Sequence, residues 1–353
     1  MRFRSPGRVN LIGGHVDYHD GVVVSMAIDR HVDATVDRRD DGLVVLSSSA
    51  IEGEVRVAVD DLPEAASVTP RWGRLAVGVM ESMQDLGVDL TPFDATLTSD
   101  LPIGGGLSSS AAVGVLLATI VADLADCRLD PIDAVRVVQR AEERATGVPC
   151  GVQDPMTAVT GGIVRLDCRD LAVESIALPD GIAVLVVDSG VARTLEGSPW
   201  VARRATTFEV AQRLGLDVLR DATSEQVAAD PPARHVVSEI DRATRFADLL
   251  AAGGVVEAGQ LMFASHASSR DDFGSSIPEL DSLVEELTGA GAHGARLTGG
   301  GHGGCVVALI DDREAERIGA TVLERYRGRF GPGRDRPATA LVVGPAPGAG
   351  RLD

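Results

Sequence analysis

Residues 101–118 read LPIGGGLSSSAAVGVLLA: three successive glycines, a run of serines and then a long apolar segment. Glycines let the backbone approach an anion closely, and the N-terminus of a following helix presents free N–H groups with a partial positive charge. The serine hydroxyls can donate to phosphate oxygens or coordinate a hard cation. The stretch therefore indicates either a phosphate-binding loop or a strand-to-helix turn with serine caps.

Two further stretches have compositions that favour chemistry. Residues 294–310, GARLTGGGHGGCVVALI, place five glycines in six positions before an apolar strand. Such a turn is either a structural hairpin or a backbone surface that lies against a phosphate or nucleotide. Residues 141–155, AEERATGVPCGVQDP, bring Glu142 and Asp154 to either side of a Cys-Gly turn. One carboxylate could hold a metal and the other could act as a base.

The N-terminal stretch GRVNLIGGHVDYHDG, residues 7–21, surrounds the pair Gly13-Gly14 with an Arg, an Asn, a His and an Asp. A simple surface strand does not need this mixture. We therefore interpret the stretch as a candidate binding segment.

Composition excludes several function classes. The formal net charge is −19, whereas nucleic acids and anionic membranes bind basic surfaces, so we expect neither as a partner. All 33 basic residues are Arg. The absence of Lys excludes a P-loop, a protein-kinase site and Schiff-base chemistry, each of which requires an amine.

The length of 353 residues suggests two domains. The coarse pattern alternates strands and turns in the first half, with separate strands at 22–28 and 31–37, and is more helical in the second half. Residues 131–147, PIDAVRVVQRAEERATG, indicate a helix with Pro131 at its start and Gly147 after its end. We predict domains at 1–170 and 171–353. We interpret residues 221–235 as a loop and the tail PAPGAGRLD as frayed. The N-terminus has no signal-peptide pattern, and the longest apolar stretch is too short to span a bilayer. We expect a cytoplasmic protein.

The four stretches together resemble the GHMP small-molecule kinases, and galactokinases most closely. GRVNLIGGHVDY is similar to the galactokinase signature GRVNLIGEHTDY, and PIGGGLSSSAA and TGGGHGGC match the second and third family motifs nearly letter for letter. PCGVQD corresponds to the family's PCGIMD. The resemblance covers nearly the whole chain. It implies an α+β, two-domain GHMP kinase fold, with an N-terminal domain like ribosomal S5 domain 2 and a ferredoxin-like C-terminal domain.

The resemblance also implies a reaction, cofactors and site residues. The protein would be an ATP- and Mg²⁺-dependent galactokinase that phosphorylates the anomeric hydroxyl of galactose, a monomer whose partners are a small-molecule sugar and ATP. Asp154 corresponds to the catalytic Asp and Arg8 to the Arg beside it, with Ser110 and Glu142 as magnesium ligands. The ATP-binding positions are Trp72, Gly104, Gly105, Gly106, Leu107, Ser108, Ser109 and Ser110.

The implied sugar-binding positions depart from the family pattern. They are Arg8, Gly14, His15, Asp17, Gly151, Asp154 and Trp200. Gly14 stands where galactokinases have a Glu that reaches the C6 end of galactose, and Trp200 stands where they have a Tyr. Glycine supplies no acceptor and leaves space, so we expect a relaxed C6 end and a smaller advantage for galactose. We expect Gly14→Glu to restore that advantage.

Other functions remain open at this level. A kinase for a galactose relative, such as galacturonate or L-arabinose, is one alternative. A non-catalytic sugar and ATP sensor is another, although Arg8, Ser110, Glu142 and Asp154 are all present. A dinucleotide-binding oxidoreductase lacks support because no G-x-G-x-x-G follows a strand with a later acidic partner.

Overall fold

The structure is a computed structural model of the chain. It describes residues 1–102, 104–148, 150–192 and 199–353, and for residues 199–201 it describes the backbone alone. Within these ranges no helix combines the length and the apolar character that a membrane crossing requires.

The N-terminal half forms one mixed sheet, to which the C-terminal tail returns. Its continuous path runs β12-β1-β2-β5-β3-β4, and β6 pairs with the start of β2 and continues to β7. Neighbours are antiparallel except β3 and β5, which are parallel. The strands are β1 (Arg2–Ile12), β2 (Val22–Arg38), β3 (Leu43–Ser48), β4 (Val55–Ala58), β5 (Phe93–Ser99), β6 (Ile163–Asp167), β7 (Ala172–Ile176) and β12 (Gly350–Arg351).

Four helices pack with this sheet: α1 (Gly73–Asp85), α2 (Ser109–Leu124), α3 (Pro131–Thr146) and α4 (Gln153–Thr160). The ends of α3 carry residue types that commonly begin and end helices. Pro131 is its first residue, the Asp130 carboxylate accepts the Ile132 N–H at 2.9 Å, and Gly147 ends the helix at a φ of 74°. The predicted start and end of this helix are confirmed.

The second half builds a four-stranded antiparallel sheet in the order β11-β8-β10-β9. Helices α8 and α9 pack on one face of it, and α6 and α7 lie toward the first sheet. The strands are β8 (Ile182–Asp188), β9 (Gly294–Leu297), β10 (Cys305–Asp311) and β11 (Thr339–Val343). The helices are α5 (Pro199–Arg213), α6 (Pro231–Ala251), α7 (Val255–Ser268), α8 (Pro278–Gly289) and α9 (Ala315–Phe330).

Strand β8 connects two hydrophobic cores because its side chains alternate between its faces. Val184 and Val186 belong to the large core that continues into the first sheet, and Leu185 and Val187 belong to the core beneath α8 and α9. This strand therefore holds the two sheets in a defined relation. The chain changes from the first sheet to the second between β7 and β8, and the domain limits stay a prediction.

Three local predictions are wrong. Helix α6 begins at Pro231, inside the predicted loop, because Pro is well accommodated at the first helical position. The tail is not frayed: β12 pairs with β1, and Leu352 N–H donates to the Arg2 carbonyl at 2.8 Å. The segment 22–38 is one long strand rather than two. Strands β7 and β9 and helix α4 were not predicted.

Gly259 allows α7 to pack directly on the chain that enters β9. A Cβ at this position would lie 2.0 Å from the His293 carbonyl oxygen, which is backbone and cannot rotate away. We expect Gly259→Ala to lower the free energy of unfolding by about 1–3 kcal/mol through overpacking. Thermal and urea unfolding measure this change.

Gly328 provides the matched control, since it lies within α9 and a Cβ at this position would meet nothing within 4 Å. There the better helix propensity of Ala should raise stability by roughly 0.5–1 kcal/mol. Equal effects of the two substitutions would contradict the packing argument.

Candidate active site

Arg8 and Asp154 form a two-pronged ion pair at the centre of the site. Arg8 lies on β1 and is 4% exposed, and Asp154 lies in the first turn of α4. Arg8 Nε donates to Asp154 Oδ1 at 2.6 Å and Nη2 donates to Oδ2 at 2.5 Å. Ser108 Oγ also donates to Oδ2. The predicted catalytic pair is thus brought together from positions 146 residues apart.

The glycine loop before α2 is attached to this pair. Arg8 Nη1 donates to the Gly106 carbonyl at 2.8 Å, and the Arg8 N–H donates to the Leu107 carbonyl at 3.0 Å. Ser108 is the N-cap of α2 in a left-handed conformation, φ 60°, but its hydroxyl makes no cap hydrogen bond because it is turned to Asp154. The first N–H groups of α2 are therefore not capped by Ser108, which suits an anion-binding helix terminus.

The second glycine-rich turn, residues 299–304, packs against this loop. A Cβ on Gly304 would lie 2.9 Å from the Gly105 carbonyl oxygen, so only glycine permits the contact. On the same side, Arg336 donates to both oxygens of the buried Asp188 at 2.9 and 2.8 Å and to the Gly104 carbonyl at 3.2 Å. The glycine loop is thus held at Gly104 by one Arg–Asp pair and at Gly106 by the other.

Glu142 lies beside the loop on α3. Ser110, Cys150 and Asp154 all lie near enough to its carboxylate to affect its pKa. Burial raises the pKa of Glu142, and the neighbouring Ser110 hydroxyl opposes that rise. The described residues contain no group of three or more His, Cys, Asp or Glu with metal-binding geometry. Two protein oxygens, one carboxylate and one hydroxyl, are what this place offers a cation.

Asp17 faces the residues that precede Asp154. A Cβ on Gly151 would lie 1.6 Å from Asp17 Oδ2, so the carboxylate lies directly against the Gly151 backbone. Burial, together with the negative charge of Asp154, raises the pKa of Asp17 to about 6. His15, two residues earlier, stacks on the Phe273 ring at 4.2 Å. Asp17 therefore lies near Asp154, and His15 lies two residues before Asp17 in the same loop.

Comparisons with known proteins agree with this geometry. The model of the GHMP kinases N terminal domain matches residues 74–162, the GHMP kinases C terminal model matches 246–328, and the galactokinase galactose-binding signature matches 1–38. Galactokinase of Roseiflexus sp. (strain RS-1) is 36% identical over 99% of this chain and 92% of its own length. Galactokinase of Bos taurus is 38% identical over 92% and 87%, respectively. The chain belongs to the galactokinase family.

Solved structures extend this result to the fold. Lactococcus lactis galactokinase complexed with galactose superimposes with a TM-score of 0.91 at 28% identity, covering 99% of this chain and 95% of that one. Methanococcus jannaschii mevalonate kinase, at 17% identity and a TM-score of 0.71, shares the fold alone. The predicted GHMP kinase fold, and the prediction that the protein is a kinase of this family, are confirmed.

The position where galactokinases have their signature Glu differs from expectation. Gly14 was expected to leave space, but a Cβ there would lie 2.6 Å from Arg296 Nη2, so a guanidinium already occupies the place of a side chain. Arg296 is fully buried on β9. The assumption of open space at position 14 is therefore wrong, because a residue from a distant strand fills it.

The binding roles predicted for the two tryptophans of the site remain predictions. Trp72 precedes α1 and packs against the large core, and its indole Nε1 is buried without a hydrogen-bond partner in the described part of the chain. Trp200 falls at the start of α5, where its side chain lies outside the described residues.

Sequence reasoning missed the buried charges behind the signature. His235, Glu239 and Arg242 follow one another at spacings of four and three residues, which places them on one face of α6. That spacing was a visible signal, because a buried face seldom carries three ionisable residues without a structural or functional reason. No comparable sequence signal marked their partner Arg296, because it is the single ionisable residue of β9.

The pKa of Asp17 predicts a pH dependence of sugar binding in the weakly acidic range. Its carboxylate, which accepts hydrogen bonds, is lost as pH falls through about 6. Burial lowers the pKa of His19 and of His235 to about 4, so neither titrates between pH 5 and 8. Galactose should therefore bind roughly tenfold more weakly at pH 5 than at pH 7–8.

Calorimetric titration with galactose at several pH values measures this change. Asp17→Asn serves as the control, and its weaker affinity should not vary across the same range. A wild-type affinity that stays constant from pH 8 to pH 5 would contradict the assignment of Asp17.

Proposed function

We propose that this protein is an ATP-dependent galactokinase that transfers the γ-phosphoryl group of ATP to the anomeric hydroxyl of galactose. The observation that carries the proposal is the Arg8–Asp154 pair, bound through Gly106 to a glycine loop at a helix N-terminus. Phosphoryl transfer requires a positioned hydroxyl, a held phosphate and neutralised charge. A carboxylate next to a glycine loop at a helix N-terminus suits these requirements and supports the proposal.

In this proposal Asp154 orients the anomeric hydroxyl and accepts its proton. As the sugar oxygen forms its bond to the γ-phosphorus, the bond to the β,γ-bridging oxygen breaks and ADP leaves. The proton moves toward Asp154, whose Oδ1 accepts one hydrogen bond from Arg8 and retains a lone pair, whereas Oδ2 accepts from both Arg8 and Ser108. Arg8 pairs with the carboxylate and offsets the negative charge that develops on the transferring phosphoryl group.

The remaining sugar contacts are assigned to the signature and its surroundings. Asp17 and His15 would bind ring hydroxyls, with Gly151 allowing Asp17 to approach. Gly14 and Trp200 belong to the same proposed set. The nucleotide would lie along the residues from Gly104 to Ser110, with Trp72 near the base.

A magnesium ion fits the donor set of Glu142 and Ser110. Mg²⁺ prefers oxygen ligands and commonly takes the rest of its octahedron from phosphates and water. Glu142 and Ser110 lie against each other at the start of α2 and would hold the ion. When bound, the ion would neutralise charge on the phosphates. The monomeric state and the cytoplasmic location expected from the sequence belong to this proposal as well.

A galactose relative with a carboxylate at C6 is the second candidate. Gly14 adds no negative charge to the pocket, and Arg296 Nη2 beside it is buried without a hydrogen-bond partner among the described residues. Arg296 is fully enclosed, however, so a galacturonate carboxylate would reach it only by displacing the turn in front of it. This cost favours galactose.

Phosphorylation of a sugar panel tests the proposal. Purified protein with ATP and Mg²⁺ should phosphorylate galactose with the highest kcat/KM among galactose, galacturonate, L-arabinose and glucose. Asp154→Asn should retain ATP binding and lose about 10²–10⁴-fold in turnover. A wild-type protein that binds galactose and ATP without turnover would instead be a sensor. A variant that keeps more than about a tenth of the wild-type rate would remove Asp154 from the mechanism.

Glu142→Ala tests the metal site separately. Loss of the anionic ligand should shift the magnesium dependence of the rate to higher concentration, with the maximal rate partly recovered at high magnesium. The neighbouring exposed Glu143→Ala is the matched control and should leave the titration unchanged. Superimposable curves for Glu142→Ala and wild type would make Glu142 a buried structural carboxylate only.

A further inference from the structure

Helix α6 binds the Gly13-Gly14 turn from behind. Glu239 Oε1 accepts the N–H groups of Gly13 and Gly14 at 2.9 and 3.1 Å. His235 Nε2 lies 3.0 Å from the Gly14 carbonyl, and a carbonyl can only accept, so Nε2 carries the proton. Three backbone groups of the turn are thus engaged by two side chains that follow one another on one helix face.

Glu239 is a buried carboxylate held by several donors. It is fully buried, and besides the turn it accepts from Ser265 Oγ at 2.6 Å and from Arg242 Nε at 2.8 Å. Burial alone would raise its pKa, but Arg242 and Arg296 lower it to about 2. Glu239 is therefore ionised wherever the enzyme works.

Arg296 completes this cluster and reaches the signature from β9. Its Nε donates to Ser265 Oγ at 2.9 Å, and its Nη1 donates to Asn10 Oδ1 at 2.6 Å. Its Nη2 lies 3.8 Å from Glu239 Oε1 and points at the place of a Cβ on Gly14. A side chain at position 14 would therefore have to displace this end of the guanidinium.

Glu239 offsets one of the two positive charges of the cluster. Two guanidinium groups face one carboxylate, and the buried Nη2 atoms of Arg242 and Arg296 have no hydrogen-bond partner among the described residues. His235 is neutral, because burial lowers its pKa to about 4. Removing the Glu239 charge would leave two like charges close together behind the turn, at a high desolvation cost.

We propose that Glu239 is a positioning residue for sugar binding: it fixes the Gly13-Gly14 turn so that His15 and Asp17, the next polar side chains, face the substrate. This inference rests on the proposed function. Glu239 itself touches neither sugar nor nucleotide. The turn directly follows β1 and is held by Glu239 and His235, whereas Arg8 and Arg336 hold the nucleotide loop. The effect of Glu239 therefore falls on the sugar and not on ATP.

Glu239→Gln tests the proposal with the least change in volume. An amide replaces one acceptor oxygen by an NH₂ group, which would face N–H donors of the turn or of Arg242. The KM for galactose should rise roughly tenfold or more, while the KM for ATP stays within about twofold. A role in stability alone would lower the melting temperature without separating the two KM values.

Glu279→Gln is the matched control. Glu279 is also a buried glutamate paired with an arginine, Arg334, at the start of α8. Its substitution should change the melting temperature and leave the KM for galactose unchanged. An equal rise of that KM in both variants would overturn the proposal.

A double-mutant cycle with position 14 provides the second test. Gly14→Ala should displace Arg296 and raise the KM for galactose in the same way. Because both changes act through one turn, the double variant Gly14→Ala/Glu239→Gln should lose less than the product of the two single effects. Multiplicative effects would show that the two residues act independently and would overturn the proposal.

Two further outcomes are distinguishable. If Glu239→Gln does not fold, Ser265→Ala removes one donor to Glu239 without changing charge and should raise the KM for galactose about three- to tenfold. A KM for galactose within twofold of wild type overturns the proposal.

If the wild type phosphorylates no sugar, the proposed function fails. Calorimetric measurement of galactose binding by the same variants then tests the role of Glu239 without turnover.

Discussion

The ion pair between Arg8 and Asp154 is the interaction on which the site depends. It joins the first strand, the start of α4 and, through Gly106, the loop before α2. Two parallel charge-assisted hydrogen bonds fix direction as well as distance, which a lysine in place of Arg8 could not do. The chain contains no lysine, and here the arginine geometry is what the reaction centre requires.

Strand β1 transmits this geometry to the sugar side. Arg8 and Asn10 are two residues apart, so they lie on the same face of the strand. Arg8 engages the carboxylate of Asp154, the proposed catalytic residue, and Asn10 engages Arg296, which is part of the buried cluster behind the signature turn. A buried cluster with two arginines and one glutamate contributes little to folding stability, because desolvation offsets most of the electrostatic attraction. Its value lies in fixing the turn relative to the reaction centre.

Local signals accounted for much of the fold and part of the site. Pro131 and Gly147 bounded α3 correctly, and the glycine loop preceded a long helix as predicted. The errors have a common origin. The tail was expected to fray because its own sequence favours no structure. Its strand β12 nevertheless pairs with β1, which lies at the opposite end of the sequence. The expectation of open space at Gly14 was wrong for the same reason, because Arg296 reaches this place from a strand that is distant in sequence.

By itself the sequence determined which residue types stand where: the glycines and serines of the proposed phosphate loop, the candidate base and metal ligand, and the family to which their order belongs. These follow from backbone freedom and side-chain chemistry, which are properties of short segments. Only the tertiary structure decided which charges meet and which are enclosed. Asp17 lies against Gly151, and Glu239 and Arg296 meet behind Gly14, through contacts between segments far apart in the chain. Burial and partner distance set pKa and hydrogen bonding, and neither is encoded in any one stretch.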